Sequence, residues 1–210
     1  MYRQIILPEA TTDIPIIFSA PMVQALLAGR KVQTRRLAWR EWSGDGPPQA
    51  PKPTPWQRVK AGDRLYVREA FASTCCTREM RDGITACTIT YREGHEEARG
   101  SGPRVDVKWR PSIHMPRWAS RLTLTVTDVR IERLQDISEE DAKAEGVEPA
   151  HEPAVAGALV RAVMPAAAFT AHRTAFAHLW EALHGPGSWQ ANPPIVALTF
   201  SVAKRNIDRD

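Results

Sequence analysis

The chain has 210 residues, of which 43% are hydrophobic and 25% are charged. This composition is ordinary for a globular protein, and no apolar stretch is long enough to predict a membrane-spanning helix. The N-terminal residues do not resemble a secretory signal, so the sequence favours a cytoplasmic protein. A single main domain over residues 1–210 is expected, because domains commonly have roughly 100 to 200 residues.

The formal net charge is +4, a mild excess that favours an anionic partner. The distribution is more informative than the total, because two segments, 29–40 and 108–121, contain several cations and no acid. Their cations are Arg30, Lys31, Arg35, Arg36 and Arg40 in the first segment, and Lys108, Arg110, Arg117 and Arg121 in the second.

Apolar periodicity predicts the first elements of the chain. A short strand at residues 14–18 leads into a helix of two to three turns, which has Pro21 in its first turn and ends at Gly29. The proline-rich stretch 42–56 is typical of a loop insertion. A strand with alternating apolar residues follows in RLYVREAF, after Gly62.

Sequence patterns in the rest of the chain predict further strands and two helices. Residues 72–107 are mixed and read as a second insertion, with one strand at 85–91. The clearest strand is 121–134, where leucine and valine alternate with threonine. The later elements are a short helix at 137–147 with Ser138 as N-cap, a helix at about 166–184 with an apolar stripe, and a final apolar strand at 195–202.

These elements favour an α+β fold with a small sheet or open barrel whose strands are antiparallel or mixed. The helices are inserted between strands and do not alternate with them, so parallel βαβ winding is not expected.

Lys31 and Thr34 are candidates for nucleophilic chemistry. A threonine hydroxyl needs a base to take its proton, and a lysine serves as that base only if burial or neighbouring cations lower its pKa. Arg30, Arg35 and Arg36 are such cations. Residues three apart on a straight strand point to opposite faces, so a contact between Lys31 and Thr34 requires a bend. The alternative is a solvated basic segment that touches phosphates, with Thr34 as a strand former.

Glu145 lies near the end of the helix at 137–147, where the helix dipole and the like charge of Asp141 disfavour a carboxylate. A partner such as Lys31 would explain this position. The alternative is a solvent-facing glutamate in an acidic helix.

The segment 108–121 places Trp109 and Trp118 among arginines, a mixture that suits a nucleobase or single-stranded nucleic acid. Structural tryptophans flanked by surface arginines are an equal alternative. The aromatic and histidine residues near the C-terminus are assigned to packing and to the surface of a helix: Trp180, Trp189, His172, His178 and His184.

No metal or cofactor is expected. The histidine spacing does not fit a zinc site, and Cys75, Cys76 and Cys87 form no CxxC pair. Motifs for nucleoside triphosphates, dinucleotides and serine hydrolases are also missing.

The motifs GRKVQTRR and KAGDRLYVRE, with the long strand RLTLTVTDVRIERL and the helix ISEEDAKAEGV, resemble the ASCH domain family of the PUA-like superfamily. The segments KWRPSIHMPRWASR and GPGSWQANP are similar to phage and prophage members. The GxKxxTxR signature falls on Gly29, Lys31, Thr34 and Arg36. The resemblance covers most of the chain outside 42–56 and much of 72–107, and it implies a β-barrel-like sheet with helices at its mouth.

One branch of the family removes the acetyl group of N4-acetylcytidine. By motif, the resemblance implies Lys31 as general base, Thr34 as nucleophile and Glu145 as proton shuttle, with Arg36 as an anchor for a polar or anionic group. The chain has Val32 where that branch usually has threonine and is about twice as long, so its substrate is expected to differ in detail.

The resemblance also implies a cleft lined by the GxKxxTxR signature. Two other functions are compatible with such a cleft: a non-catalytic RNA-binding or DNA-binding module, and a ribonuclease. Binding of nucleic acid is assigned to the cations and tryptophans of both basic segments: Arg30, Arg35, Arg36, Trp109, Arg110, Arg117 and Trp118.

Overall fold

The structure, a computed structural model, describes residues 11–40, 50–75, 87–92, 108–149 and 171–209. Its strands are β1 (Asp13–Ile17), β2 (Gln33–Leu37), β3 (Trp39–Arg40), β4 (Lys52–Pro53), β5 (Arg64–Arg68), β6 (Phe71–Cys75), β7 (Cys87–Tyr91), β8 (Thr123–Arg133) and β9 (Pro194–Ala203). Its α-helices are α1 (Ala20–Leu27), α2 (Glu139–Ala144) and α3 (His172–His184). The α+β class is confirmed.

Five strands form one mixed sheet in the order β1-β5-β8-β9-β2. The pairings β5–β8, β8–β9 and β9–β2 are antiparallel, as the sequence predicts. At one edge β1 runs parallel to β5, which makes the sheet mixed. The chain passes through α1 and the far edge strand β2 between β1 and β5, and this excursion is long enough for a parallel crossover. Within the described residues the sheet is open and no closed barrel is formed.

The predicted insertions contain more regular structure than expected. In the first, β4 pairs with β3, and residues 55–58 form a 3-10 helix. In the second, β6 and β7 pair, with the backbone of Cys75 opposite that of Cys87. The residues 166–170 of the predicted last helix lie outside the described residues. None of the described helices is long and apolar enough to cross a bilayer.

The strand β9 is buried on both faces and therefore separates two apolar clusters. Val196, Leu198 and Phe200 pack in the cluster that includes residues of α1, whereas Ile195 and Ala197 pack with residues of α2 and α3. This alternation of period two places α1 on one face of the sheet and α3 on the other.

Two glycines follow the helices whose ends meet at the edge strand β2. Gly29 ends α1 with a φ of 73°, and Gly146 follows α2 with a φ of 78°; both are left-handed conformations that glycine adopts readily. The N–H of Val32 donates to the Ala144 carbonyl at 2.8 Å. The ends of both helices therefore lie at the start of β2.

Candidate active site

Lys31 and Glu145 form a buried ion pair where the end of α2 meets the start of β2. Lys31 Nζ donates to Glu145 Oε2 at 2.7 Å and to the Glu145 backbone carbonyl at 2.9 Å. Lys31 is 0% exposed and Glu145 is 4% exposed. The fold therefore brings together two residues that the sequence singles out although they lie 114 positions apart.

Burial dominates the protonation behaviour of Lys31. Removal from water lowers the pKa of the Lys31 amine below its ordinary value, although the charge and hydrogen bond of Glu145 raise it. The charges of Arg36 and Arg35 lower this pKa further. Arg30, the third cation proposed to act on Lys31, instead forms an ion pair with the Glu148 carboxylate.

Arg35 connects Glu145 to a polar network on one face of β2. Its buried guanidinium contacts Glu145 Oε1 at 3.3 Å, Glu132 Oε1 at 2.8 Å and Asp141 Oδ2 at 2.9 Å. It also donates to Gln33 Oε1 at 2.5 Å. The second oxygen of the Glu145 carboxylate is thereby held, so Glu145 is oriented by Arg35 on one side and by Lys31 on the other.

Gln33 and Asp141 are site residues that sequence reasoning missed. Gln33 Nε2 donates to Asp141 Oδ1 and to Thr199 Oγ1, both at 3.1 Å. Gln33 stands at a variable position of the signature, and Asp141 resembles an ordinary residue of the first turn of a helix. The sequence signal for Gln33 is a polar side chain at a position that β-strand alternation assigns to the same face as Arg35.

Arg36 lies on the opposite face of β2, next to Phe18. Its guanidinium lies 5.1 Å from the centroid of the Phe18 ring and donates to the Ile17 carbonyl at 2.9 Å. Lys31 Nζ lies 5.5 Å from the same ring centroid. The Phe18 ring is therefore flanked by two cations of the signature.

Thr34 shares the face of Arg36, since residues two apart on a strand point the same way. It is 2% exposed and lies opposite Leu198 of β9. Within the described part of the chain its hydroxyl makes no hydrogen bond, so the contact between Lys31 and Thr34 is not formed. The Lys31 N–H still bonds to the Ala25 carbonyl, so Lys31 belongs to the turn that follows α1 and precedes β2, which begins at Gln33.

A cleft of about 320 Å³ opens beside the ion pair. Glu145 and Gly146 form part of its wall, and the exposed pair of Arg30 and Glu148 also borders it. Among the described residues that line this cleft, Glu145 is the only member of the proposed catalytic set. The carboxylate therefore separates the fully buried Lys31 amine from the cleft.

Several cations of the second basic segment already have protein partners. Arg117 forms ion pairs with Asp13 and Asp208, and the Arg121 guanidinium pairs with Glu69. These guanidiniums are partly neutralised, so the two basic segments contribute less positive potential than their sequence indicates.

The remaining residues proposed to bind nucleic acid are Trp109, Arg110 and Trp118. Trp118 is 58% exposed and Arg110 is exposed, whereas Trp109 is half-buried. Their exposed surface is compatible with the predicted nucleic-acid contact, and it lies on a segment remote in sequence from the Lys31 pair.

The described residues contain no group of three or more histidine, cysteine, aspartate or glutamate side chains arranged to hold a metal ion. Comparison of the chain with protein-family models, with curated proteins and with solved structures finds no match.

Proposed function

We propose that the chain is a hydrolase that removes an acyl group from a modified pyrimidine nucleoside, free or within a nucleic acid, in the manner of an N4-acetylcytidine amidohydrolase. The observation that carries the proposal is the buried pair of Lys31 and Glu145 beside an open cleft. A dehydrated lysine close to two guanidiniums accepts a proton more readily at moderate pH than an exposed lysine does. Strongly perturbed ionisable groups next to a cleft are typical of catalytic sites.

In the proposed reaction, neutral Lys31 takes the proton of the Thr34 hydroxyl while Thr34 Oγ1 forms a bond to the acyl carbon. The bond from that carbon to the nucleobase nitrogen then breaks, and the nitrogen receives the proton from Lys31. Water attacks the resulting threonine ester, with Lys31 accepting the proton of the water and returning it to Thr34 Oγ1 as the carboxylic acid leaves. Substrate binding has to bring Lys31 and Thr34 into hydrogen-bond reach, a tightening that enzyme sites commonly undergo.

Glu145 has the position of a proton shuttle, because it touches Lys31 on one side and borders the cleft on the other. Arg35 fixes the Glu145 carboxylate, and Arg36, on the face of Thr34, is proposed to anchor a polar or anionic group of the substrate.

We also propose that the open five-stranded sheet is part of a PUA-like barrel, with α1 and α2 at its mouth. In support, both helices end at the segment that leads into β2, next to the cleft.

The test is to incubate the protein with N4-acetylcytidine and a panel of other acylated nucleosides and to measure the deacylated nucleoside and the released carboxylic acid by chromatography. We expect turnover that increases with pH, because the neutral lysine is the active form, with a midpoint below the ordinary lysine value of 10.5. Lys31→Met and Glu145→Gln should each lower kcat by about 100-fold or more, as loss of a general base commonly does.

One matched pair of variants at Thr34 and a control at Val32 identify the nucleophile. Thr34→Val keeps the shape of the side chain but removes the hydroxyl and should abolish turnover, whereas Thr34→Ser should retain part of it. Val32→Thr, at a neighbouring position that is 37% exposed, should leave kcat unchanged.

Three results would contradict these assignments. Full activity of Thr34→Val would exclude Thr34 as nucleophile. Absence of turnover combined with salt-sensitive RNA binding would favour a binding module, with a log-log slope of about one per neutralised phosphate. Cleavage of single-stranded RNA that Lys31→Met abolishes would favour a ribonuclease.

A further inference from the structure

A second and larger pocket, of about 670 Å³, lies between β3 and the C-terminal end of α3. It shares no described lining residue with the cleft beside Glu145. Its volume is in the range of small-molecule sites, which are roughly 300 to 1,000 Å³. Binding of a ligand in this pocket is therefore independent of the proposed hydrolase activity.

The walls of this pocket present flat aromatic surfaces. The rings of Trp180 and His184 are stacked, with centroids 4.1 Å apart and an interplanar angle of 28°. Burial lowers the pKa of His184 and the charge of Arg36 lowers it further, so the imidazole is neutral at neutral pH. Trp39, which is 41% exposed, also lines the pocket. A planar ligand therefore has aromatic surfaces on which to stack.

Two polar atoms of lining residues have no hydrogen-bond partner among the described residues: Trp180 Nε1 and Ser188 Oγ. Trp180 is only 3% exposed, so water does not readily satisfy its N–H. A buried polar group without a partner costs about 1–3 kcal/mol, and native proteins rarely leave one unsatisfied. The indole N–H is therefore suited to a ligand that carries a hydrogen-bond acceptor.

The charge of the pocket selects among planar ligands. Arg40 is the only charged side chain among the described lining residues, and no carboxylate is among them. A ligand with an anionic group next to its planar part matches this distribution better than a neutral or cationic one.

We propose that this pocket binds a nucleoside monophosphate unit, either free or within a single-stranded nucleic acid. The base stacks against Trp39 and against the His184 ring, whose other face packs on Trp180, a base acceptor receives the Trp180 N–H, and the phosphate contacts Arg40. Stacking on aromatic side chains is tolerant of base identity, so all four common bases are expected to bind.

The test uses AMP, CMP, GMP and UMP, the corresponding nucleosides and a short single-stranded RNA as probes on the full chain. Binding is followed by tryptophan fluorescence and by the NMR signals of the indole N–H groups, with the Trp180 signal assigned through Trp180→Phe. We expect saturable binding, a shifted Trp180 signal, and affinity lowered by about tenfold when the phosphate is missing, which corresponds to about 1.4 kcal/mol. Tighter binding of the RNA than of every mononucleotide would identify the polymer as the source of the unit.

Two variants at exposed positions test the site without disturbing the core. Trp39→Ala should weaken binding by about tenfold or more, because a stacking surface for the base is lost. Arg40→Gln should weaken it by about tenfold, as removal of the phosphate from the ligand does. Ile131→Ala removes an exposed apolar side chain that does not line the pocket and should leave affinity unchanged. Lys31→Met should also leave it unchanged, which separates this pocket from the proposed hydrolase site.

The proposal is overturned if none of the nucleotides or the RNA binds saturably. It is also overturned if Ile131→Ala or Lys31→Met abolishes binding while Trp39→Ala does not.

Discussion

Gly146 controls how closely the end of α2 approaches Lys31. A Cβ atom at this position would lie 2.9 Å from the Cβ atoms of both Lys31 and Ala25 and 3.3 Å from Lys31 Cα. The requirement for glycine is therefore twofold, because the φ of 78° disfavours other residues and the neighbouring atoms leave no room.

Gly29 is the matched control for this position. It has a similar φ of 73°, but a Cβ atom there would meet nothing within 4 Å. We expect Gly29→Ala to lower the free energy of unfolding by roughly 1–2 kcal/mol through backbone strain alone. Gly146→Ala should lose that amount and roughly 1–3 kcal/mol more through overpacking. Urea unfolding of both variants measures the difference, and equal losses would show that the contact with Lys31 is not tight.

At the scale of elements, α2 has only six residues and depends on contacts at its ends. Isolated helices of this length are unstable in water, so capping and packing must hold it. The Ser138 side chain accepts a hydrogen bond from the Asp141 N–H at 3.0 Å. The Ala144 carbonyl at the other end accepts from Val32. The position of Glu145 therefore rests on both ends of a short helix.

Removal of the N-cap tests this dependence. Ser138→Ala should lower the free energy of unfolding by about 1 kcal/mol, while Ser138→Asn, which also caps, should stay close to the wild type. Amide hydrogen exchange should accelerate first at Ala142 and Glu145, whose N–H groups bond to the Ser138 and Asp141 carbonyls. An unchanged exchange rate at Glu145 in Ser138→Ala would mean that the contact with β2 alone holds the helix.

The sequence predicted those elements whose periodicity is determined by burial. Strand β8 alternates apolar and polar residues, and residues 195–198 of β9 are all apolar because both faces of the strand are buried there. The parallel pairing of β1 was not predictable in this way, because periodicity shows which face of a strand is buried but not which strand lies next to it.

In the candidate active site too, local sequence patterns predicted some residues but not the contacts between elements. Lys31 and Glu145 stood out because one belongs to a signature and the other occupies an unfavourable helix position. The hydrogen bonds of Gln33 and Asp141, and the separation of Thr34 from Lys31, depend on how α2 packs against β2, which no local pattern records.

At the scale of the whole molecule, carboxylates inside the fold neutralise many of its cations. Asp13 contacts both Arg64 and Arg117, while Asp141 contacts Arg35 and Arg130. The net charge of +4 consequently gives a poor measure of the surface offered to an anionic partner.

These two aspartates predict how stability depends on acid. Burial raises the pKa of Asp13, but hydrogen bonds from Arg64 and Arg117 and their charges outweigh it, so the pKa lies below the ordinary value of 3.8. Burial also raises the pKa of Asp141, and hydrogen bonds from Arg130 and Gln33 with nearby positive charge again lower it overall. For a lowered pKa, the stabilisation is present above the unfolded value and is lost as the pH falls through the folded one.

We therefore expect the free energy of unfolding to decrease as the pH is lowered from about 5 through the depressed pKa values of the two aspartates. The double variant Asp13→Asn/Asp141→Asn should be less stable than the wild type at neutral pH and should lose less stability on acidification, because it has no such protons to bind. Asp128→Asn, at a side chain that is 57% exposed and 3.5 Å from Arg130, is the control and should keep the wild-type dependence. Urea unfolding at a series of pH values measures all three proteins. If the double variant loses as much stability as the wild type over this range, other groups determine the acid sensitivity of the fold.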